Sequence, residues 1–273
     1  MTGTWLTDAD RAAPAAARLL CLPYAGGGAS AYRGWQAAAP RGLRVCPLEP
    51  PGRGRRLLEA PFTRLAPLVR SLTEDLAGVL DRPYALFGHS MGALIAFELA
   101  RALRQRGLPP PVRLFVSGSA APEVPRHRPG LRHATGAQIR EELRSLGGTP
   151  PELLANDELM DLVLPALRAD FSLLETYEYR VRPPLPVPIT VFGGRSDPSV
   201  RLPQLYPWRG HGAAGTRLLM LPGDHFFLHT ATAAVWREIR TDLAHDLPAG
   251  LPGAGAAVKL AAATTDSQEE GQT

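Results

Sequence analysis

The segment spanning residues 84–100 constrains this chain more tightly than any other. A short apolar run, Tyr84-Ala85-Leu86-Phe87, leads into Gly88-His89-Ser90-Met91-Gly92, which opens the helix-patterned stretch Ala93-Leu94-Ile95-Ala96-Phe97-Glu98-Leu99-Ala100. A strand that turns this abruptly into a helix strains the backbone of the central residue, and glycines two positions to either side let strand and helix approach without a Cβ between them. The Ser90 hydroxyl is thereby pushed clear of the turn, the setting in which a G-x-S-x-G sequence presents a nucleophile. Glycine-rich turns are common, so the flanking strand and helix carry the inference and the pentapeptide alone does not.

The same alternation runs along most of the chain. Apolar runs at 19–22, 43–48, 112–116, 189–192 and 216–221 read as further strands, and helices are expected near 31–39, 64–80, 91–106 and 226–244. Strands alternating with helices predict an α/β fold with a mostly parallel central sheet flanked by helices and ligands at the carboxyl ends of the strands. Between about Pro122 and Pro188 the pattern becomes wholly helical, over 137–146, 151–154 and 157–179, which reads as a helical lid insertion. Its long helix carries Leu159, Leu162, Val163, Ala166, Leu167, Asp170, Phe171 and Leu174 at helical spacing. A packing subdomain with no part in substrate entry is the bland alternative. The expected layout is an N-terminal extension at 1–14, a core formed by 15–121 and 188–246, the lid at 122–187 and a disordered tail at 247–273. The run Pro183-Pro184-Leu185-Pro186-Val187-Pro188 reads as a stiff connector back to the sheet.

Composition excludes several classes. With 273 residues and 45% hydrophobic content the chain can bury one large core. Its net charge of +4 is modest, and its arginines are scattered without interleaved aromatics, so no nucleic-acid partner is expected. The N-terminus lacks a basic start followed by an apolar stretch, and no segment reaches the roughly 18 apolar residues of a membrane span. Cys21 and Cys46 lie in apolar runs, as buried thiols do. A cytoplasmic location is expected, with no membrane partner, no cofactor and no metal: the three glycines at 26–28 fit neither phosphate-binding pattern, and no metal-ligand spacing occurs.

A serine hydroxyl needs a base within hydrogen-bond reach, itself oriented by a carboxylate. In the α/β-hydrolase arrangement these follow in the order Ser, Asp, His. Asp197 sits directly after the strand at 189–192 and His225 directly after that at 216–221. His89 adjoins the serine but is aimed elsewhere by the turn, His229 falls a turn into the last helix, and His127, His133, His211 and His245 lie off the strand ends. Asp224 is the runner-up carboxylate, with helix capping as its structural role. The oxyanion donors expected are the backbone N–H groups of Met91, just after the nucleophile, and Ala25, in the glycine loop after the first of these strands.

Five segments together resemble a known family: Cys21-Leu22-Pro23-Tyr24-Ala25-Gly26-Gly27-Gly28, Pro51-Gly52-Arg53-Gly54-Arg55-Arg56, Gly88-His89-Ser90-Met91-Gly92-Ala93, Leu164-Pro165-Ala166-Leu167-Arg168-Ala169-Asp170-Phe171 and Gly223-Asp224-His225-Phe226-Phe227. They are similar to type II thioesterases, the free-standing editing hydrolases of polyketide and nonribosomal peptide synthases, over about residues 15–245. The resemblance implies an α/β-hydrolase fold with a helical lid, and hydrolysis of acyl groups from the phosphopantetheine arm of an acyl carrier protein or peptidyl carrier protein. It implies Ser90 as nucleophile, Asp197 as orienting acid, His225 as base, and the Ala25 and Met91 amides as oxyanion hole. Tyr24 stands where histidine is frequent in the family. Arg53 and Arg55 either contact the carrier or the pantetheine phosphate, or are solvated loop residues. The alternatives are a general carboxylesterase and a non-catalytic, synthase-binding hydrolase-fold protein. A product-releasing synthase domain is also close; the expectation against it is that the chain starts almost at its first strand, with no carrier segment before it. A monomer is expected.

Overall fold

A computed structural model describes residues 4–125, 130–149 and 151–247. Six strands, β1 Ala17–Leu22, β2 Leu43–Pro47, β3 Tyr84–His89, β4 Arg113–Ser117, β5 Ile189–Gly194 and β6 Thr216–Leu221, form one parallel sheet in the order β2-β1-β3-β4-β5-β6. All six expected strands are present. The apolar runs of β1, β3, β4 and β5 are buried throughout because helices cover both faces; the edge strand β6 is only partly covered.

Side chains alternate across the sheet. Leu20 and Leu22 of β1, Leu86 of β3 and Val116 of β4 enter one core layer, against the helices Leu65–Leu76 and Met91–Gln105. Leu19 and Cys21, Phe87, and Phe115 enter the other, where Trp35 packs edge-on against Trp236 of the helix Thr232–Asp246. Both cysteines are free and buried, and burial pushes the Cys46 thiol up to about 12.

The chain leaves β1 for β2 on one side and returns to β3 on the other, so the strand order reverses between β1 and β3. That reversal opens a crevice at the carboxyl ends, the usual ligand position in such sheets. The β1–β3 register ends on Leu22 opposite Gly88, which brings the glycine loop after β1 beside the turn after β3.

Three helices, Gly136–Leu146, Pro151–Ala155 and Asp157–Glu175, stand between β4 and β5. They share a small core of their own that includes Ile139, Leu143, Met160, Leu164, Leu167 and Phe171. The expected face turns inward over most of the long helix, where Ala166, Leu167, Asp170 and Phe171 are buried, but nearer its start Met160 and Leu164 face inward while Leu159 and Leu162 are 43% and 51% exposed. Apolar residues on both stripes make either phase compatible with the sequence, and the tertiary contacts select one. The proline-rich connector is anchored by the Leu185 N–H to the His211 carbonyl at 2.8 Å.

The N-terminal extension packs into the main core. Trp5 and Leu6 are buried, the Trp5 indole N–H donates to Ser71 Oγ at 3.1 Å, and Thr7 caps the short helix Asp8–Ala12. Leu247, the first residue of the predicted tail, is buried at the end of the last helix, and the remainder of that prediction, 248–273, lies outside the described residues.

Candidate active site

Ser90 is the only non-glycine residue with positive φ among the described residues, at φ 53° and ψ −114°. Its N–H donates to the Ser117 carbonyl of β4 at 2.7 Å, which locks the turn to the neighbouring strand. The flanking glycines do what the sequence argument required. A Cβ on Gly88 would lie 2.1 Å from the Gly92 carbonyl oxygen, and one on Gly92 would lie 2.1 Å from the Leu22 carbonyl oxygen of β1.

The turns after β5 and β6 are joined by their backbones, Arg195 N–H to Leu221 O at 2.8 Å and Ser196 N–H to Gly223 O at 3.0 Å. This brings Asp197 to His225. Oδ1 of Asp197 accepts the amides of Ser199 and Val200 at 2.8 and 3.1 Å and the Ser199 hydroxyl at 2.7 Å, leaving Oδ2 to receive His225 Nδ1 at 2.8 Å. With its proton held on Nδ1, the imidazole directs the lone pair of Nε2 at Ser90 Oγ, 3.1 Å away. Burial works to raise the Asp197 carboxyl, but the hydrogen bonds from His225 and Ser199 outweigh it and hold the group below the ordinary carboxylate value. The acid stays ionised, the state that stabilises a positive imidazole.

Ser90 and His225 meet at a cavity of about 450 Å³, lined also by Met91 and walled by Phe171 and Leu174 of the inserted helix and Val200, with Asp197 behind the imidazole. Met91 opens the helix after the nucleophile, where N–H groups have no partner within the helix. Ala25 is partly buried between the main core and the core of the insert, in the loop that the β1–β3 register sets beside the turn carrying Ser90.

The other candidates separate cleanly. Asp224 does not bond His225: its Oδ1 accepts the Phe226 amide at 2.8 Å, just ahead of the short helix Phe227–Thr230, and not at the long helix where capping was expected. His229 Nε2 contacts the Tyr24 hydroxyl at 3.2 Å, His211 pairs with Glu123 at 2.7 Å, and His127 lies outside the described residues. Arg53 is not a solvated loop residue. It is buried in a two-pronged pair with Asp170. Arg55 is exposed and donates to the Trp5 carbonyl at 2.8 Å.

Ser199 is the residue that sequence reasoning missed. Its Oγ, besides donating to Asp197, lies 3.1 Å from His225 Nδ1, so it accepts a share of the same imidazole proton. A serine two positions after an orienting aspartate carries no spacing signature of its own; only the turn geometry brings it there.

A family model described as Thioesterase domain matches residues 17–243. The chain belongs to the thioesterase family. This thioesterase is 44% identical over 225 residues to the Gramicidin S biosynthesis protein GrsT of Aneurinibacillus migulanus, covering 82% of this chain and 88% of that protein. Among solved structures it is similar to RedJ, a thioesterase from the prodiginine biosynthetic pathway in Streptomyces coelicolor, with a TM-score of 0.80 and 40% identity over 86% of this chain and 92% of that one. It is also similar to YbtT, a type II thioesterase from the yersiniabactin pathway, with a TM-score of 0.78 and 36% identity, covering 86% and 95%.

His89, beside the nucleophile, gives this thioesterase a measurable pH response. It is fully enclosed, its Nδ1 lies 2.9 Å from Ser117 Oγ, and burial, followed by the proximity of His225 and His229, holds it well below the ordinary histidine value of 6.5. The native state therefore leaves it neutral where the unfolded chain protonates it. Stability is complete above about pH 6.5 and falls as pH drops below that value, by up to about 1.4 kcal/mol per pH unit until the lowered native value is reached. Urea unfolding at pH 7.5 and 5.5 should show this loss in wild type and a smaller one in His89→Asn; equal losses would remove His89 as the cause.

Proposed function

We propose that this chain hydrolyses acyl groups from the phosphopantetheine arm of acyl or peptidyl carrier proteins, removing aberrant or stalled units during polyketide or nonribosomal peptide synthesis. The observation that carries the reading is the continuous line Asp197, His225, Ser90 at the cavity, within a chain of the thioesterase family. The pathways named for GrsT, RedJ and YbtT support the choice of carrier-bound substrates.

In this mechanism Ser90 Oγ attacks the thioester carbonyl while His225 Nε2 takes its proton. The tetrahedral oxyanion is held by the Met91 and Ala25 amides, each worth about 3 kcal/mol at the transition state. The C–S bond breaks and the pantetheine sulfur leaves as the thiol with the proton held by His225; the neutral imidazole then deprotonates a water that attacks the acyl carbonyl, and returns that proton to Ser90 Oγ as the acid is released. A thiolate leaves readily, so the site requires less acid assistance than an amide would. The inserted helices serve as the lid, with Phe171 and Leu174 shaping the acyl pocket. The protein works as a cytoplasmic monomer; among the described residues no helix is long and apolar enough to cross a membrane.

The test is hydrolysis of one acyl group presented on a carrier protein, on a free pantetheine-type thiol and as an oxygen ester. Fastest release from the carrier is expected. A preference for the oxygen ester with no gain from the carrier would replace this reading with a general carboxylesterase.

A further inference from the structure

The glycine loop after β1 is gripped by two side chains that lie 117 residues apart in sequence. Asp170, on the inserted helix Asp157–Glu175 and 2% exposed, accepts the Gly26 amide on Oδ2 at 2.8 Å. Arg53, 8% exposed and following β2, donates from Nη1 to the same oxygen at 2.7 Å and from Nη2 to Oδ1 at 2.8 Å. The same Nη1 donates to the Gly27 carbonyl at 3.0 Å. Leu167, just under a turn earlier on the helix, closes over the loop: a Cβ on Gly26, whose φ is +76°, would lie 2.7 Å from Leu167 Cδ2. The backbone immediately after Ala25 is thus fixed at an N–H, at a carbonyl and from above.

A buried ion pair is a poor way to gain stability, since well-packed apolar side chains of similar volume often do as well. Here the pair has another task available, because both partners also hold the backbone of one loop. An oxyanion donor acts only within about 2.7–3.1 Å of the oxygen, and a displacement near 1 Å costs up to about 100-fold.

We propose that Asp170, oriented by Arg53, is a positioning residue for the oxyanion hole: by holding the Gly26 N–H it anchors the loop on the C-terminal side of Ala25 and so keeps the Ala25 N–H, one peptide earlier, facing the acyl carbonyl oxygen. The proposal rests on the reading of Ala25 as an oxyanion donor and deepens it. The inserted helix then shapes the transition-state site as well as walling the cavity, and a movement of this helix that breaks its hold on Gly26 also relaxes the oxyanion hole.

Asp170→Asn keeps volume and an acceptor but loses the charge; Arg53→Lys keeps charge but loses the fork. Each is assayed with a soluble acyl thioester and with an acyl trifluoromethyl ketone, whose carbonyl carbon bonds Ser90 Oγ and leaves a tetrahedral oxyanion without turnover. Asp170→Asn is expected to lower kcat by roughly 10- to 100-fold with KM within about threefold, and to weaken the ketone by a similar factor. Arg53→Lys should move both in the same direction by less, and it carries the test if Asp170→Asn melts below the assay temperature. Unchanged kcat, a rise in KM alone, or a fall in kcat with undiminished ketone affinity overturns the proposal. Ketone affinity reads the oxyanion hole even without thioester turnover, which separates this proposal from the thioesterase reading.

Discussion

Ser90→Ala is expected to lower kcat for acyl-thioester hydrolysis by at least about 10⁴-fold while leaving the fold and its melting temperature nearly unchanged. The chemical step is lost because no other hydroxyl occupies the tip of the turn after β3, and what remains is the smaller contribution of the oxyanion hole and binding. The fold is retained because the strain at φ 53° arises from a Cβ that serine and alanine share, and because the elbow is held by the Ser90 amide, which alanine keeps. Parallel thermal melts and single-turnover assays check both parts. A variant that turned over substrate at the wild-type rate would remove Ser90 from the mechanism.

Asp197→Asn is expected to lower kcat by about 10³- to 10⁴-fold with KM little changed. The substitution preserves shape but puts an amide, able to present N–H where a carboxylate oxygen stood, against His225 Nδ1. The imidazole then favours the tautomer with its proton on Nε2, which cannot take the proton of Ser90. Ser199 sets the size of the loss. Its Oγ lies 3.1 Å from Nδ1 and accepts a share of the Nδ1 proton, so it retains part of the productive tautomer in the single variant. Ser199→Ala alone should therefore cost about tenfold or less, whereas adding it to Asp197→Asn should cost more than it does in the wild-type background, a non-additivity expected of groups sharing one proton. Simple additivity across the four-member cycle would show that Ser199 does not share the His225 proton.

Features carried by local backbone chemistry were legible in the sequence. The elbow is written in consecutive residues, and Asp197 and His225 closely follow short, mainly apolar strands, so their places at the carboxyl edge of the sheet could be inferred without any long-range contact. The rest depends on contacts between distant segments. Nothing near Arg53 signals that its partner is Asp170, and a helix with leucines on two adjacent stripes does not reveal whether Met160 and Leu164 or Leu159 and Leu162 face inward. Nothing in the N-terminal extension signals where Trp5 docks, because the groups that receive it, Ser71 and Asp75, come from a helix far along the chain. Ser199 was hidden for the opposite reason: it is close in sequence to Asp197, but serine near aspartate is common in turns and indicates catalysis only once His225 is in place.

The most direct measurement is to capture the intermediate. Wild-type enzyme mixed with a slowly hydrolysed acyl thioester, quenched in acid within one turnover and digested, should yield the peptide containing Ser90 heavier by the mass of the acyl group, and Ser90→Ala should yield none. Hydrolysis at full rate with no acyl group on that peptide, or with the acyl group on another residue, would contradict the account.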